Sequence, residues 1–263
     1  MEPIEEALAK CKAKGRTTLI TYVIAGHSTV SETPDIILSM QSGGADIIEL
    51  GIPFTSPTTE GPVIKQANSK ALENGVRIPH VLQMVKSARK QGLTVPVLLI
   101  GYYDSVRAYA YGEEMLLRDC KAAGVDGMII VDLPTGELVR FCDLCKSKGL
   151  LYIPLVSSSI TIDDVEMLCS TANLIVCTVS RLGVMGTHEK LYGCVADLLH
   201  RVHVFTGNLV PVTGGLSIIN AQETSVDVVI GCPIVQILGN AAPGTGAQKV
   251  KEYCLQVSGC TED

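Results

Sequence analysis

The chain has 263 residues, of which 47% are hydrophobic, and a formal net charge of −6. This composition supplies one large buried core, and the acidic balance argues against binding to nucleic acid or to an anionic membrane, which requires a basic face. No apolar run approaches the ~20 residues of a membrane-spanning helix, and the acidic N-terminal segment lacks the apolar core of a secretion signal.

The ten cysteines are scattered through apolar or helical stretches of the sequence. A disulfide framework is typical of a short secreted chain, so we interpret most of them as small buried hydrophobic residues in a reducing cytosol. Cys142 and Cys145 form a C-x-x-C pair inside a predicted helix, with no second pair or nearby histidine. A structural role is therefore favoured over a redox or metal role, and the expected location is cytoplasmic.

Apolar strands alternate with helix-length segments along the chain, after a short amphipathic N-terminal helix. The predicted strands are Leu19–Ala25, a second strand ending on Glu49, Val95–Gly101, Gly127–Val131, Tyr152–Val156, Asn173–Val179, Leu209–Val212 and Val226–Ile230. The predicted helices are Ser31–Gly43, Val63–Asn74, Ile78–Gln91, Gly112–Ala123, Glu137–Lys148, Ile160–Ser170, Leu191–Val204, Val235–Leu238 and Gln248–Val257. This alternation predicts parallel strands with right-handed crossovers, and the length predicts one α/β domain over residues 1–263, a (β/α)8 barrel.

Polar side chains at the ends of predicted strands are candidates for chemistry, because these ends line the site of such a barrel. Glu49 stands first, since an ionised acid inside an apolar strand is costly unless it is paired or used. Tyr102, Asp132 and Arg181 occupy similar places, and for Asp132 helix capping is slightly favoured over chemistry. His27 follows the first strand without a nearby acid or nucleophile, so an exposed loop position is favoured over catalysis.

Two glycine-rich loops follow the last two predicted strands, at Thr213–Ser217 and Ile230–Pro233. Glycine serves any tight turn, so one such loop indicates little. Two of them in these positions offer backbone N–H groups and a short helix N-terminus, which can hold an anion. We therefore predict a phosphate site at this end of the chain.

The segment Ala45–Pro62, ADIIELGIPFTSPTTEGP, resembles the signature of the tryptophan synthase alpha chain family. The motif residues that it keeps are Glu49, Leu50, Gly51, Pro53, Phe54, Pro57, Gly61 and Pro62. The similarity is strongest to the fungal type and continues almost to the C-terminus, through VPVLLIGYYDS, IIVDLP, IPLVSSS, VSRLGVMG and VVIGCPIV. It implies a TIM barrel whose bottom is capped by the N-terminal helix.

The resemblance also implies a reaction, the reversible cleavage of indole-3-glycerol phosphate to indole and glyceraldehyde 3-phosphate in tryptophan biosynthesis. This retro-aldol step requires protonation of indole C3 and removal of a proton from a side-chain hydroxyl, and one mobile carboxyl can do both in turn. Glu49 is expected to be this catalytic group, and Glu60 to stabilise the positive charge at the indole nitrogen. No metal or redox cofactor is expected, because no ligand set has suitable spacing.

Further site residues and a partner are implied by the same resemblance. The implied substrate-binding residues are Tyr22, Tyr102, Ile64, Cys177 and Arg181, and the implied phosphate-binding residues are Gly186, Gly214, Gly215, Gly231 and Cys232. Members of the family usually pair with a pyridoxal-phosphate beta chain, to which they pass indole. A complex of the alpha2beta2 type is therefore possible here, with the loop after strand two as its docking surface.

Several positions depart from the family pattern. Ser56 and Glu60 replace aspartates, and Thr58–Thr59 replaces an apolar–alanine pair. The other departures are Cys177 for tyrosine, Met185 for a residue that offers a hydroxyl, Gly214 for an aromatic residue and Cys232 for a hydroxyl donor. These changes keep two alternatives open. One is a catalytically impaired or engineered barrel that binds or activates a partner, and the other is a stand-alone lyase that releases free indole.

Overall fold

A computed structural model describes residues 2–57, 60–157, 176–178, 212–213 and 227–259 of the chain. Within these residues every strand pairing is parallel, in one nine-stranded sheet. The strands are β1 Leu19–Ile24, β2 Ile47–Gly51, β3 Val97–Gly101, β4 Gly127–Ile130, β5 Leu151–Tyr152, β6 Leu155–Ser157, β7 Val176–Thr178, β8 Val212–Thr213 and β9 Val228–Ile230. Their order across the sheet is β5-β4-β3-β2-β1-β9-β8-β7-β6.

The two outermost strands of this order, β5 and β6, follow one another in the chain and are separated only by Ile153 and Pro154. The Ile153 N–H still donates a hydrogen bond to the carbonyl of Met128 in β4, at 2.9 Å. Pro154 has no N–H to donate, which interrupts the ladder there. One chain segment therefore joins both edges of the sheet and closes it into a barrel of eight strand segments. The predicted fold class is confirmed.

The helices surround this barrel. Those of the described residues are α1 Pro3–Ala13, α2 Thr33–Ser42, α3 Pro62–Glu73, α4 Ile78–Lys90, α5 Tyr103–Arg107, α6 Gly112–Ala123, α7 Leu138–Ser147, α8 Cys232–Gly239 and α9 Gly246–Ser258. The predicted helices Ile160–Ser170 and Leu191–Val204 lie outside the described residues. The sequence does not predict α5 or the 3-10 turn Thr135–Glu137, because such short elements carry no readable periodicity. None of the described helices is both long and apolar enough to cross a bilayer.

Alternate residues of each strand point into the barrel, as the two-residue period of a strand requires. The interior is filled by Ile20, Ile47, Leu98, Ile129, Ile153 and Val229. Two residues of α1, Ile4 and Leu8, pack against this layer and are 1% and 6% exposed. The amphipathic N-terminal helix therefore caps the bottom of the barrel as expected.

Aspartates placed just before strands join neighbouring strands at this bottom end. Asp46, before β2, accepts a hydrogen bond from the Leu19 N–H at 2.9 Å, and Asp126, before β4, accepts one from the Val97 N–H at 2.8 Å. Each of these aspartates also pairs with an arginine, Asp126 with Arg89 at 2.7 Å. A charged acceptor bonded to both a backbone N–H and a guanidinium is a strong local tie. These ties hold the strands whose opposite ends form the site.

Cys11, Cys120, Cys142, Cys145 and Cys254 are buried. Both members of the C-x-x-C pair lie in the apolar layer between α7 and the sheet. Burial raises the pKa of Cys142 and, more strongly, that of Cys145, so these thiols stay protonated and inert. The structural interpretation of the pair is confirmed, whereas Cys232 is exposed.

Candidate active site

Glu49 lies in the middle of β2 with its side chain inside the barrel, where it is only 2% exposed. Its Oε1 atom is fully buried and has no hydrogen-bond partner among the described residues. Desolvation disfavours the charged form of a carboxyl group and raises the pKa of Glu49 to about 8. The group is therefore a protonated acid at neutral pH, ready to donate its proton.

Tyr22 faces the same interior from the neighbouring strand. It is the register partner of Glu49 across the parallel pair of β1 and β2. Two glycines make room for its ring: a Cβ on Gly51 would lie 2.8 Å from the Tyr22 hydroxyl, and one on Gly231 would lie 2.8 Å from Cδ1. Burial raises the pKa of Tyr22 well above its ordinary value, and the nearby carboxyl groups of Glu60 and Glu49 act in the same direction. The phenol is therefore neutral.

Glu60 stands at the end of the loop that connects β2 with α3. Asn68 Nδ2 donates a hydrogen bond to Glu60 Oε2 at 2.8 Å, and the Tyr102 side chain is a second hydrogen-bond partner. Burial raises the pKa of Glu60 to about 7, while the bonds from Tyr102 and Asn68 and the charge of Lys65 oppose that rise. This carboxyl group is therefore about half ionised at neutral pH and is more acidic than Glu49.

The start of the same loop is fixed by an aromatic stack. The rings of Phe54 and Tyr102 lie 4.5 Å apart at an angle of 15°. The Phe54 N–H donates to Asn68 Oδ1 at 2.9 Å. Stacking and the hydrogen bond together hold Phe54 against the C-terminal end of β3 and the side of α3. The aromatic ring at the site is thus part of the loop that carries Glu60.

Cys232 begins α8, directly after Gly231 at the end of β9. Desolvation and the neighbouring Glu60 raise the pKa of the Cys232 thiol, so it stays neutral beside the carboxyl groups. The first N–H groups of a helix are unpaired within the helix and favour an anion. The N-terminus of α8 thus lies beside Tyr22 and Glu60, at the end of the barrel where the sequence predicts phosphate.

The structure brings together the residues Tyr22, Glu49, Glu60, Tyr102, Gly231 and Cys232 of those predicted. Ile64 is buried on α3, in an apolar cluster with Ile24 and Val235 against which Tyr22 packs. Cys177 lies on β7, where only the backbone is described. Arg181, Gly186, Gly214 and Gly215 lie outside the described residues, as does Met185. Ser56 is exposed in the loop after β2.

Two secondary expectations have different outcomes. Asp132 is structural, as favoured, but it accepts a hydrogen bond from the Tyr103 N–H at 2.6 Å and so caps α5 rather than the helix that follows it.

The expectation that His27 occupies an exposed loop position is wrong. It is half-buried against α8, its Nδ1 atom has no partner among the described residues, and burial lowers its pKa.

Sequence reasoning missed Asn68. It is 2% exposed and bonds both Phe54 and Glu60. A signal was present, because Asn68 lies one turn after Ile64 on a helix face that otherwise carries apolar residues. A polar residue on a buried helix face needs hydrogen-bond partners, but the sequence does not say which.

Among the described residues, no group of three or more metal-binding side chains is close enough to hold an ion. The site instead combines a buried protonated acid, a partly ionised second carboxyl and a helix N-terminus, at the C-terminal end of a parallel barrel. Fold and site together define a (β/α)8-barrel protein equipped for acid–base chemistry.

The chain belongs to the tryptophan synthase alpha chain family, whose sequence profile matches residues 8–261. It is 38% identical to the tryptophan synthase of Saccharomyces cerevisiae over 258 residues, which are 96% of this chain and 36% of the yeast protein. It is 37% identical to the tryptophan synthase alpha chain of Polaromonas naphthalenivorans over 252 residues, which are 91% of this chain and 92% of that one.

Solved structures agree with this assignment. Tryptophan synthase subunit alpha from Legionella pneumophila superposes with a TM-score of 0.84 at 26% identity, over 98% of this chain and 99% of that one. The predicted family is therefore confirmed, including its fungal relative, together with the fold. The class of function is confirmed as well: a lyase of tryptophan biosynthesis.

Proposed function

We propose that this chain cleaves indole-3-glycerol phosphate to indole and glyceraldehyde 3-phosphate, with Glu49 and Glu60 as its catalytic groups. The observation that carries this proposal is the state of Glu49, a buried carboxyl group whose pKa is raised to about 8 by desolvation. An acid that must protonate a carbon at neutral pH needs to hold its proton until substrate binds. Few environments keep a glutamic acid protonated at neutral pH, and the barrel interior around Glu49 is one of them.

The two carboxyl groups have different roles, which follow from their different pKa values. Glu49 gives its proton to indole C3, which makes the ring an electron acceptor, and Glu49 becomes a carboxylate. It then takes the proton of the side-chain hydroxyl, the oxygen forms the aldehyde, and the carbon–carbon bond returns its electron pair to the ring. In its ionised form Glu60, the more acidic group, stabilises the positive charge on the indole nitrogen in between.

The remaining site residues have binding roles in this proposal. Tyr22, Tyr102 and Ile64 contact the indole-glycerol part of the substrate, together with Cys177 and Arg181. The phosphate is held by backbone N–H groups of Gly231 and Cys232 and by those of Gly186, Gly214 and Gly215. Support comes from the N-terminus of α8, which lies next to Tyr22 and Glu60 and favours an anion.

We also propose that the chain works as one cytoplasmic barrel domain that pairs with a separate beta chain. Cys11, Cys120, Cys145, Cys232 and Cys254 are free thiols, which supports a reducing compartment. The loop after β2 is the proposed docking surface. Its Ser56 is exposed and uncharged, where the family motif has an aspartate.

The partner is tested by co-purification with a beta chain and by mutual activation. Ser56→Asp restores the acidic residue of the motif and should strengthen both. Ser69→Asp adds the same charge on the exposed face of α3 and is the control. No complex with either the parent or Ser56→Asp would defeat the pairing.

The activity is tested by indole release from indole-3-glycerol phosphate, for the purified chain and for Glu49→Gln, each with and without a beta chain. Release by the parent and its loss in Glu49→Gln would support the lyase and its acid–base group. Release without any stimulation by the beta chain would favour the stand-alone lyase. No release from a folded parent under either condition would favour the non-catalytic barrel.

A further inference from the structure

Asn68 has all of its side-chain polar groups engaged within a buried pocket. It is 2% exposed, and Oδ1 accepts the Phe54 N–H at 2.9 Å. Nδ2 donates to Glu60 Oε2 at 2.8 Å and to the Ile64 carbonyl at 3.0 Å. The Phe54 N–H can only donate, so the amide oxygen must face it and the amide nitrogen must face Glu60. The backbone thus fixes the orientation of the amide.

This side chain ties together the two ends of one loop. Phe54 stands near the beginning of the segment between β2 and α3, and Glu60 stands near its end. A second link runs through Tyr102, which stacks on Phe54 and is also a hydrogen-bond partner of Glu60. Glu60 is therefore held from two sides by neutral donors, one on α3 and one at the end of β3.

We propose that Asn68 is a positioning residue, which holds the Glu60 carboxylate in the place where it faces the substrate. The inference rests on the proposed function, in which Glu60 stabilises charge on the indole nitrogen. A glutamate has one more rotatable bond than the aspartate of the family motif, so its carboxylate needs more restraint. Asn68 and Tyr102 supply that restraint, and a misplacement near 1 Å costs on the order of a hundredfold in rate.

Asn68 also favours the ionised form of Glu60. Its hydrogen bond lowers the pKa of Glu60 against the rise that burial causes. The other groups that act on Glu60 or respond to its charge are Tyr102, Lys65, Tyr22 and Cys232. Lys65 is the cation among them. Loss of the Asn68 donor therefore leaves Glu60 more often protonated.

The test is Asn68→Ser, with Asn74→Ser as the matched control. A serine at this helix position bonds back to the carbonyl four residues earlier, but it is too short to reach Glu60. Asn74 is a half-buried amide at the end of the same helix, and it donates to the Gly26 and Ser28 carbonyls at 2.9 and 3.2 Å. It does not bond Glu60, so its loss reports on stability alone.

The first readout is the titration of the Glu60 carboxyl carbon by NMR, assigned by comparison with Glu60→Gln. In Asn68→Ser we expect the pKa of Glu60 to rise by about one unit. The second readout is indole release against pH, where kcat at pH 7 should fall by about tenfold. The acidic limb should move to higher pH and KM should change little. Asn74→Ser should lower the melting temperature without moving either curve.

An unchanged Glu60 titration in folded Asn68→Ser would overturn the proposal. If that variant does not fold, Asn68→Asp serves instead, since it keeps the acceptor for Phe54 and presents an oxygen to Glu60, which should raise its pKa still further. The titration needs no substrate, so the two proposals fail separately. A parent chain that releases no indole defeats the lyase, and the titration still decides the role of Asn68.

Discussion

Tyr22 and Glu49 are register partners on the adjacent parallel strands β1 and β2, and both side chains face the barrel interior. A phenol and a carboxylic acid thus lie side by side directly above the apolar layer that contains Ile20 and Ile47. Both groups are kept neutral, because burial raises the pKa of each. Glu49 therefore lies inside the barrel in its protonated, uncharged form.

The dependence of kcat/KM on pH should be bell-shaped. Activity needs Glu60 ionised and Glu49 protonated, and burial raises their pKa values to about 7 and about 8. We expect kcat/KM for indole release to rise through the first value, fall through the second and peak between them. In Glu60→Gln, kcat/KM should be lower at every pH and should no longer rise with pH on the acidic side. A parent profile that is flat from about pH 6 to 9 would contradict these assignments.

Glu49→Gln should be more stable than the parent in alkaline solution. Burial raises the pKa of Glu49 from 4.5 to about 8, so between these values the folded chain binds more protons than the unfolded chain. Linkage then requires that the parent loses stability as the pH rises across this interval.

Glutamine does not ionise, so Glu49→Gln does not lose this stability as the pH rises. At high pH the free energy of unfolding of Glu49→Gln should exceed that of the parent by ~5 kcal/mol. The difference should vanish near about pH 4, where both chains are neutral at this position. Denaturant titrations at the two pH values provide the measurement, and equal stabilities at high pH would show that Glu49 is not buried as described.

Gly231→Ala should impair the site more than it impairs the fold. A Cβ at this position would lie 2.8 Å from Tyr22 Cδ1 and 3.2 Å from Tyr22 Cβ, so the Tyr22 ring must move away from Gly231. We expect kcat/KM for indole release to fall by about tenfold or more. Gly136→Ala is the control, because nothing lies within 4 Å of its added Cβ. Equal activities of the two variants would mean that the position of Tyr22 is unimportant.

Asp126→Ala should destabilise the chain. Asp126 Oδ2 accepts from the Val97 N–H at 2.8 Å and from Arg89 Nη2 at 2.7 Å, and its side chain is 16% exposed. Removing it leaves both donors without their charged acceptor, which should lower the free energy of unfolding by ~2 kcal/mol or more. Glu73→Gln breaks the exposed pair of Lys70 and Glu73 and should change stability little. Comparable losses in urea denaturation would contradict this assignment.

Much of the fold could be predicted because its information is local. The apolar strands and amphipathic helices of a barrel repeat at intervals that sequence periodicity reveals, and β1, β3, α4 and α6 begin or end within two residues of the predicted bounds. Short elements such as α5 were missed, because a single turn is too short to show a period in the sequence. His27 was placed wrongly because the direction of a turn depends on what packs beneath it.

The site was predictable only in part. Glu49 could be found because a carboxyl group inside an apolar strand is conspicuous in the sequence alone. The role of Asn68 could not, since its partners Phe54 and Glu60 lie 14 and 8 residues away, and neither distance has a period that links them. A hydrogen bond between segments exists only after the loop has folded back on its helix.

The sequence by itself determined the strand and helix pattern, the family, and the types of residue available for chemistry. Only the tertiary structure decided which of them meet, how deeply each is buried, and therefore in what order they titrate. The reason is physical. A pKa depends on the water and charge around a group, and both are set by segments that are distant in the chain. Two glutamates of equal intrinsic acidity thus differ here, with Glu49 keeping its proton to about pH 8 and Glu60 to about pH 7.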